Sequence, residues 1–145
     1  MKLTILIDSE IKPMAFYWLG RIEIDNFNNW LNMQNFILPD DLKEFLEITG
    51  GGTAFESEEF LCPMNAPIYE SDFSEINKSY QMKGLPKDYI IFQLGIFLSA
   101  IRLSDQKYVL LEKNNYTVIN EFISFNEWYT NTIREEFAER YGLSK

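Results

Sequence analysis

Histidine is absent from this chain of 145 residues. That removes serine–histidine and cysteine–histidine nucleophile pairs, histidine metal clusters and histidine proton shuttles together. The single cysteine, Cys62, cannot close an internal disulfide, and its ordinary role is a small buried apolar side chain. No apolar run approaches the roughly 18 residues of a membrane span. The start, MKLTILIDSE, follows a short apolar stretch with acids. It does not read as a signal peptide, and the expected compartment is the cytoplasm. Repeats, linkers and low-complexity tracts are missing as well, so residues 1–145 are expected to form one domain.

Apolar residues are plentiful. Aliphatic and aromatic side chains make up 46% of the chain and aromatics alone 16%, far too apolar for a disordered acidic polymer and enough for a genuine core. The formal charge is −9. Direct binding to nucleic acid, which wants a basic patch, is not expected, nor is binding to an anionic membrane surface. The charge is uneven. Residues 38–88 hold eleven acidic and four basic groups, whereas residues 1–37 hold four and three and residues 89–145 hold seven and six. Between Glu44 and Asn77 there are eight acids and no base.

Local patterns suggest the elements. KLTILI and RIEI read as strands, from their β-branched residues and partial alternation. PMAFYWLG is either a strand or a partly buried loop, and the burial of Tyr17 and Trp18 stays open. DNFNNWLNMQN carries apolar residues at helical spacing behind Asp25, a plausible N-cap. Pro39 suits the first helical position, Leu38, Leu42, Phe45, Leu46 and Thr49 form one stripe, and Gly50 supplies a left-handed stop. Gly51 and Gly52 then turn the chain into TAFESEEFL. There Phe55, Phe60 and Leu61 are expected inside and Glu56, Glu58 and Glu59 outside. CPMNAPIY is a loop. SDFSEINKSYQMKG reads as a helix capped by Ser71 and ended by Gly84, with Phe73, Ile76 and Tyr80 inward. DYIIFQLG, IFLSAIRL and KYVLLEKN are successive strands, NYTVI extends the meander, and SDQK is a turn. Ser124 and Glu127 make a capping box for a last helix that buries Phe125, Trp128, Tyr129, Ile133, Phe137 and Tyr141. The sum is α+β: a single domain, mainly antiparallel sheet with helices packed on one face.

Gly50–Gly52 follow a helix, whereas phosphate loops precede one, and no G-K-[ST] is present. Ser99 and Ser104 have no base or oxyanion signature around them. No catalytic residue, metal site or cofactor is expected. The carboxylates Glu56, Glu58, Glu59, Glu70, Asp72 and Glu75 lack the calcium-loop pattern. Sequence spacing cannot test them as an acid/base pair for a hydrolase. They can be a solvated face, or a docking face for a basic partner. A single-sign field steers an oppositely charged protein, while a solubility surface usually interleaves the signs. Phe55, Phe60, Met64, Tyr69 and Phe73 lie among the acids. Phe55 and Tyr69 are candidate anchors, while Phe60 and Phe73 read as core.

In order along the chain, LPDDLKEFLEITGGGTAFESEEFL, EINKSYQMKGLPKDYIIFQLG, RLSDQKYVLLEKN and FISFNEWYTNTI resemble the SUKH superfamily, named after a yeast cell-wall assembly regulator. The likeness covers about residues 26–135. It lies in a Leu-Pro pair, an acidic helix with Phe45 and Leu46, a glycine doublet, a central strand ending in glycine, a hairpin and a closing Phe-x-x-Trp helix. The N-terminal stretch is longer and more strand-like than the family's simple leading helix, and the glycine after the central strand, Gly95, stands alone. The resemblance implies a non-enzymatic binding protein. Bacterial members are commonly immunity proteins that neutralise a cognate polymorphic or contact-dependent toxin, often a nuclease. The expected partner is then a basic nuclease toxin gripped by Glu56, Glu58, Glu59, Glu70, Asp72 and Glu75, with Phe55 and Tyr69 as anchors. The chain would act as a monomer or weak dimer. The alternative is a regulatory scaffold that binds a peptide without neutralising a toxin.

Overall fold

Between Phe16 and Phe122 seven strands lie side by side in the order in which they occur along the chain, each antiparallel to the next. The structure, a computed structural model, describes residues 2–143. The elements are α1 (Thr4–Ile11), β1 (Phe16–Trp18), α2 (Ile24–Gln34), α3 (Asp40–Thr49), β2 (Gly52–Ala54), β3 (Glu58–Phe60), α4 (Phe73–Met82), β4 (Tyr89–Leu94), β5 (Leu98–Arg102), β6 (Lys107–Leu111), β7 (Val118–Phe122), α5 (Phe125–Asn131) and α6 (Ile133–Phe137). The fold is an α+β single domain.

The runs expected as consecutive strands are β4, β5 and β6, and the NYTVI segment leads into β7. Cross-strand neighbours Ile90, Ile101, Tyr108 and Phe122 form one set of side chains. Tyr108 meets the Phe125 ring of α5 edge-on at 6.1 Å. The alternate set, Ile91, Ala100 and Val109, is also fully buried. On the helix side the aromatic core converges on α3 and α5. Phe45 lies 5.4 Å from Trp18, 4.9 Å from Phe60 and 4.8 Å from Phe125, centroid to centroid. Trp128 packs on Phe60, Phe92 and Phe125. Asp41 ties these layers together: it accepts from the Tyr108 hydroxyl and from the Phe125 backbone N–H.

The glycine triplet does more than stop a helix. Gly50 takes the left-handed conformation (φ 73°) that ends α3. Cβ atoms on Gly50 and Gly52 would also stand 2.3 Å and 2.0 Å from the carbonyl oxygens of Gly20 and Tyr17. The helix exit and the β1 segment therefore touch backbone to backbone.

Four local expectations are overturned. KLTILI is not a strand: Thr4–Ile11 is helix α1. Its β-branched residues favour a strand locally, but burial of Ile5 and Asp8, one helical turn apart, decides the outcome. Asp8 is held by the Tyr129 hydroxyl at 2.7 Å and by Arg134 Nε at 2.7 Å. RIEI is not a strand either. Ile22 is buried and Glu23 caps α2, its carboxylate accepting the Asn26 N–H at 2.9 Å, so Asp25 sits in the first turn instead of at the cap. At α4 the cap is Asp72, not Ser71: Asp72 Oδ1 accepts the Glu75 N–H at 2.8 Å, while Ser71 belongs to the short 3₁₀ turn Tyr69–Ser71. The open question over PMAFYWLG resolves as a 3₁₀ turn, Pro13–Ala15, followed by edge strand β1, with Tyr17 exposed and Trp18 part-buried. At α5 Ser124 caps as expected, and Glu127 reaches back to the Ile123 N–H at 2.8 Å.

One side chain replaces a missing strand. β3 pairs with β4 at Glu59–Leu94 and Phe60–Gln93, and the Leu61 N–H donates to the Phe92 carbonyl at 3.0 Å. Beyond that point Asn77 of α4 lies along the β4 edge, donating to the Ile91 carbonyl at 2.9 Å and accepting the Ile91 N–H at 2.7 Å. It satisfies both backbone groups, as a neighbouring strand would.

Candidate functional site

The six acidic side chains expected to share a face fall in three places. In a strand, successive side chains point to opposite sides of the sheet, so Glu58 and Glu59 in β3 must part. Glu58 follows Phe60 to the helix side and is 3% exposed. There its Oε1 accepts from Gln93 Nε2 at 2.8 Å and its Oε2 from Ser57 Oγ at 3.0 Å. The expectation that Glu58 stands outside is therefore overturned. Phe55 is likewise no surface anchor. It is 1% exposed and packs against Phe16, Phe137 and Tyr141.

Glu59, Glu70, Asp72 and Glu75 come together at the junction of β3 and α4. A short parallel bridge joins Cys62 to Asp72. The Cys62 N–H donates to the Ser71 carbonyl at 2.7 Å, and the Phe73 N–H donates to the Cys62 carbonyl at 2.9 Å. This stitching brings the acids of the loop beside the end of the strand. Burial, with the Glu70 charge adding to it, pushes the Glu59 carboxyl above its ordinary range. The Cys62 thiol records the same field. Burial pushes it up to about 11, the Ser71 hydrogen bond works against this, and the Glu59 and Asp72 charges add to it. Among the described residues the one ion pair these acids make is Glu75 with Lys78 at 4.0 Å. Tyr69, 57% exposed, and Ile68, 56% exposed, adjoin Glu70. Glu56 is exposed at the β2–β3 turn with a positive φ of 68°. The arrangement is a negatively charged surface with apolar side chains among the acids, suited to hold cationic groups.

Gln93, the partner of Glu58, is not foreseen in the sequence, and Ser99 is considered there only as a nucleophile. Gln93 and Ser99 are buried polar residues in otherwise apolar strands, and Ser99 Oγ donates to Gln93 Oε1 at 2.9 Å. The signal available was that each is the one uncharged polar residue in an apolar run. Among the described residues no group of three or more His, Cys, Asp or Glu is arranged to hold a metal ion, and no helix is long and apolar enough to cross a membrane.

No protein-family model matches the chain, and no curated protein matches it. A solved structure shares the fold. It is the crystal structure of a protein from Pseudomonas syringae pv. tomato, 16% identical, with a TM-score of 0.67 over 85% of this chain and 93% of that one. At this identity the likeness concerns architecture alone.

Proposed function

We propose that this chain is a non-enzymatic binding protein that captures a basic protein on the acidic surface at the β3–α4 junction. Following the SUKH resemblance, the captured protein is a cognate toxin, a basic nuclease, and the chain is its immunity protein, working in the cytoplasm as a monomer or weak dimer. The observation that carries the reading is the gathering of Glu59, Glu70, Asp72 and Glu75 at the Cys62–Asp72 bridge, beside exposed Ile68 and Tyr69 and with Glu75–Lys78 the one ion pair they make among the described residues. Like charges held together raise the free energy of the unbound surface, and a partner's lysines or arginines relieve that repulsion on docking. A nuclease carries such groups to hold phosphates, so an acidic inhibitor occupies the surface its substrate needs.

The test reverses Glu59 and Glu70 to lysine together and leaves the buried Glu58 alone. The partner is the cognate toxin domain that the proposal requires, and association is followed by stopped flow across a salt series. Association is expected to slow by about 10-fold or more at low ionic strength, with a flatter salt dependence. An association rate and salt slope equal to those of the unmodified chain would remove this surface from the interface.

A further inference from the structure

Glu58 has left the acidic surface, and its new surroundings form a site of their own. A cavity of about 550 Å³ opens between the β3–β6 part of the sheet and the α5–α6 junction. A continuous hydrogen-bonded chain runs along its floor. Trp128 Nε1 donates to Ser99 Oγ at 3.0 Å, Ser99 Oγ to Gln93 Oε1 at 2.9 Å, and Gln93 Nε2 to Glu58 Oε1 at 2.8 Å. The far oxygen of Glu58 is held by Ser57. Every donor in this chain is neutral. Among the described residues no lysine or arginine forms an ion pair with Glu58. An ionised carboxylate offers about four acceptor positions, and two are used here. Glycine at position 95 lets the carboxylate sit at this depth, because a Cβ there would lie 1.8 Å from Glu58 Oε1.

The rest of the cavity grades outward. Leu110, Ile133 and Phe137 make apolar walls, and Glu135 and Glu136, both exposed, stand at the α6 side. A buried carboxylate held by neutral donors, apolar walls and an acidic rim suit a cationic head on a short aliphatic stem. The stem removes apolar wall from water. The head gives the Glu58 carboxylate the opposite charge that its neutral donors do not supply, and so favours its ionised form. We infer that this cavity binds an alkyl cation, an ammonium or guanidinium on a stem of a few methylenes, with its head on Glu58. Such a group comes from a free amine or from a lysine or arginine of another protein. The inference does not rest on the toxin-binding reading, because Glu59 and its neighbours occupy the other side of β3.

Trp128 supplies the readout, since its indole N–H ends the chain that begins at Glu58. The full chain, labelled with ¹⁵N, is titrated with butylamine, and with 1-butanol and butyrate as probes of the same stem. Butylamine is expected to shift the Trp128 indole and Gln93 side-chain amide signals saturably. Butanol and butyrate are expected to leave them in place. Glu58→Gln, which keeps the shape and removes the charge, is expected to weaken butylamine binding by about 10-fold or more, a difference of about 1.4 kcal/mol. Should that variant fail to fold, Glu135→Gln with Glu136→Gln decides alone. These are exposed positions, and their neutralisation is expected to weaken butylamine several-fold with an unchanged melting temperature. Nα-acetyl-lysine N-methylamide separates the sources. Binding at least as tight as butylamine assigns the site to a protein side chain, and rejection of it in favour of butylamine assigns it to a free amine. Equal shifts from butylamine and butanol, or an unchanged butylamine affinity in the deciding variant, overturn the inference, whatever the toxin experiment returns.

Discussion

Replacing Gly95 by alanine interrogates the buried carboxylate directly. Gly95 is not among the residues with positive φ, so the backbone itself accepts alanine, and at a site without obstruction such a change commonly stabilises by about 0.4–1 kcal/mol. The obstruction here is specific. The new Cβ would lie 1.8 Å from Oε1 and 2.5 Å from Cδ of Glu58, and 2.8 Å from Gln93 Nε2. Oε1 ends a flexible side chain, so rotation of Glu58 relieves the clash, and the cost is what that rotation breaks. The bonds from Gln93 and Ser57 end on the Glu58 carboxyl. Buried hydrogen bonds contribute about 0.5–1.5 kcal/mol each, and about 1.5–3 kcal/mol where they end on a charged group, and water in the adjoining cavity offsets part of their loss. The net expectation is a destabilisation of about 2 kcal/mol, or a fall of about 4–8 °C in melting temperature for a domain of this size. Chemical denaturation of four proteins completes the measurement: the parent, Gly95→Ala, Glu58→Ala and the double variant. In the Glu58→Ala background the penalty is expected to vanish, so the coupling energy of the cycle equals nearly the whole effect. An alanine at 95 that costs the same with and without the Glu58 side chain would refute this account.

Asn77→Leu is expected to cost about 2–5 kcal/mol. It strands the Ile91 N–H and carbonyl at the edge of β4, and faster hydrogen exchange at the Ile91 amide checks the location as well as the size. Asp8→Ala removes the acceptor shared by Tyr129 and Arg134. Because Asp8 is buried, a loss of about 3 kcal/mol is expected in urea denaturation. Glu59 has a pH signature. Its folded-state pKa lies above the unfolded value, so the folded state holds the extra proton and stability falls as pH rises through the folded pKa. Glu59→Gln is expected to flatten that fall and to raise stability at neutral pH by less than about 1 kcal/mol, the range of partly exposed charges; a pH series of thermal melts reads both.

Much of this architecture was legible along the chain because its causes are local. The α3 stripe from Leu38 to Thr49 and the Gly50 stop are set within one or two helical turns. The same holds for the Ser124 cap, which bonds the N–H three residues on. The runs YIIFQL, LSAIR and KYVLL are separated by turn residues and pair with their immediate neighbours. Residues 4–11 resisted the same treatment. Thr4, Ile5 and Ile7 favour a strand by themselves, and Asp8, buried on the core face of that helix, finds its partners 121 and 126 residues away.

The acidic stretch divides in the same way. Composition alone determined that residues 38–88 carry most of the negative charge, that no histidine chemistry is possible, and that apolar content suffices for a core. Which acids meet was decided by tertiary structure. Alternation along β3 says only that Glu58 and Glu59 part company. The side on which each lands depends on the register of β3 between β2 and β4 and on Gln93, 35 residues further on. A pattern of period two is written in the chain, but its inside and outside are assigned only when the neighbouring strands arrive.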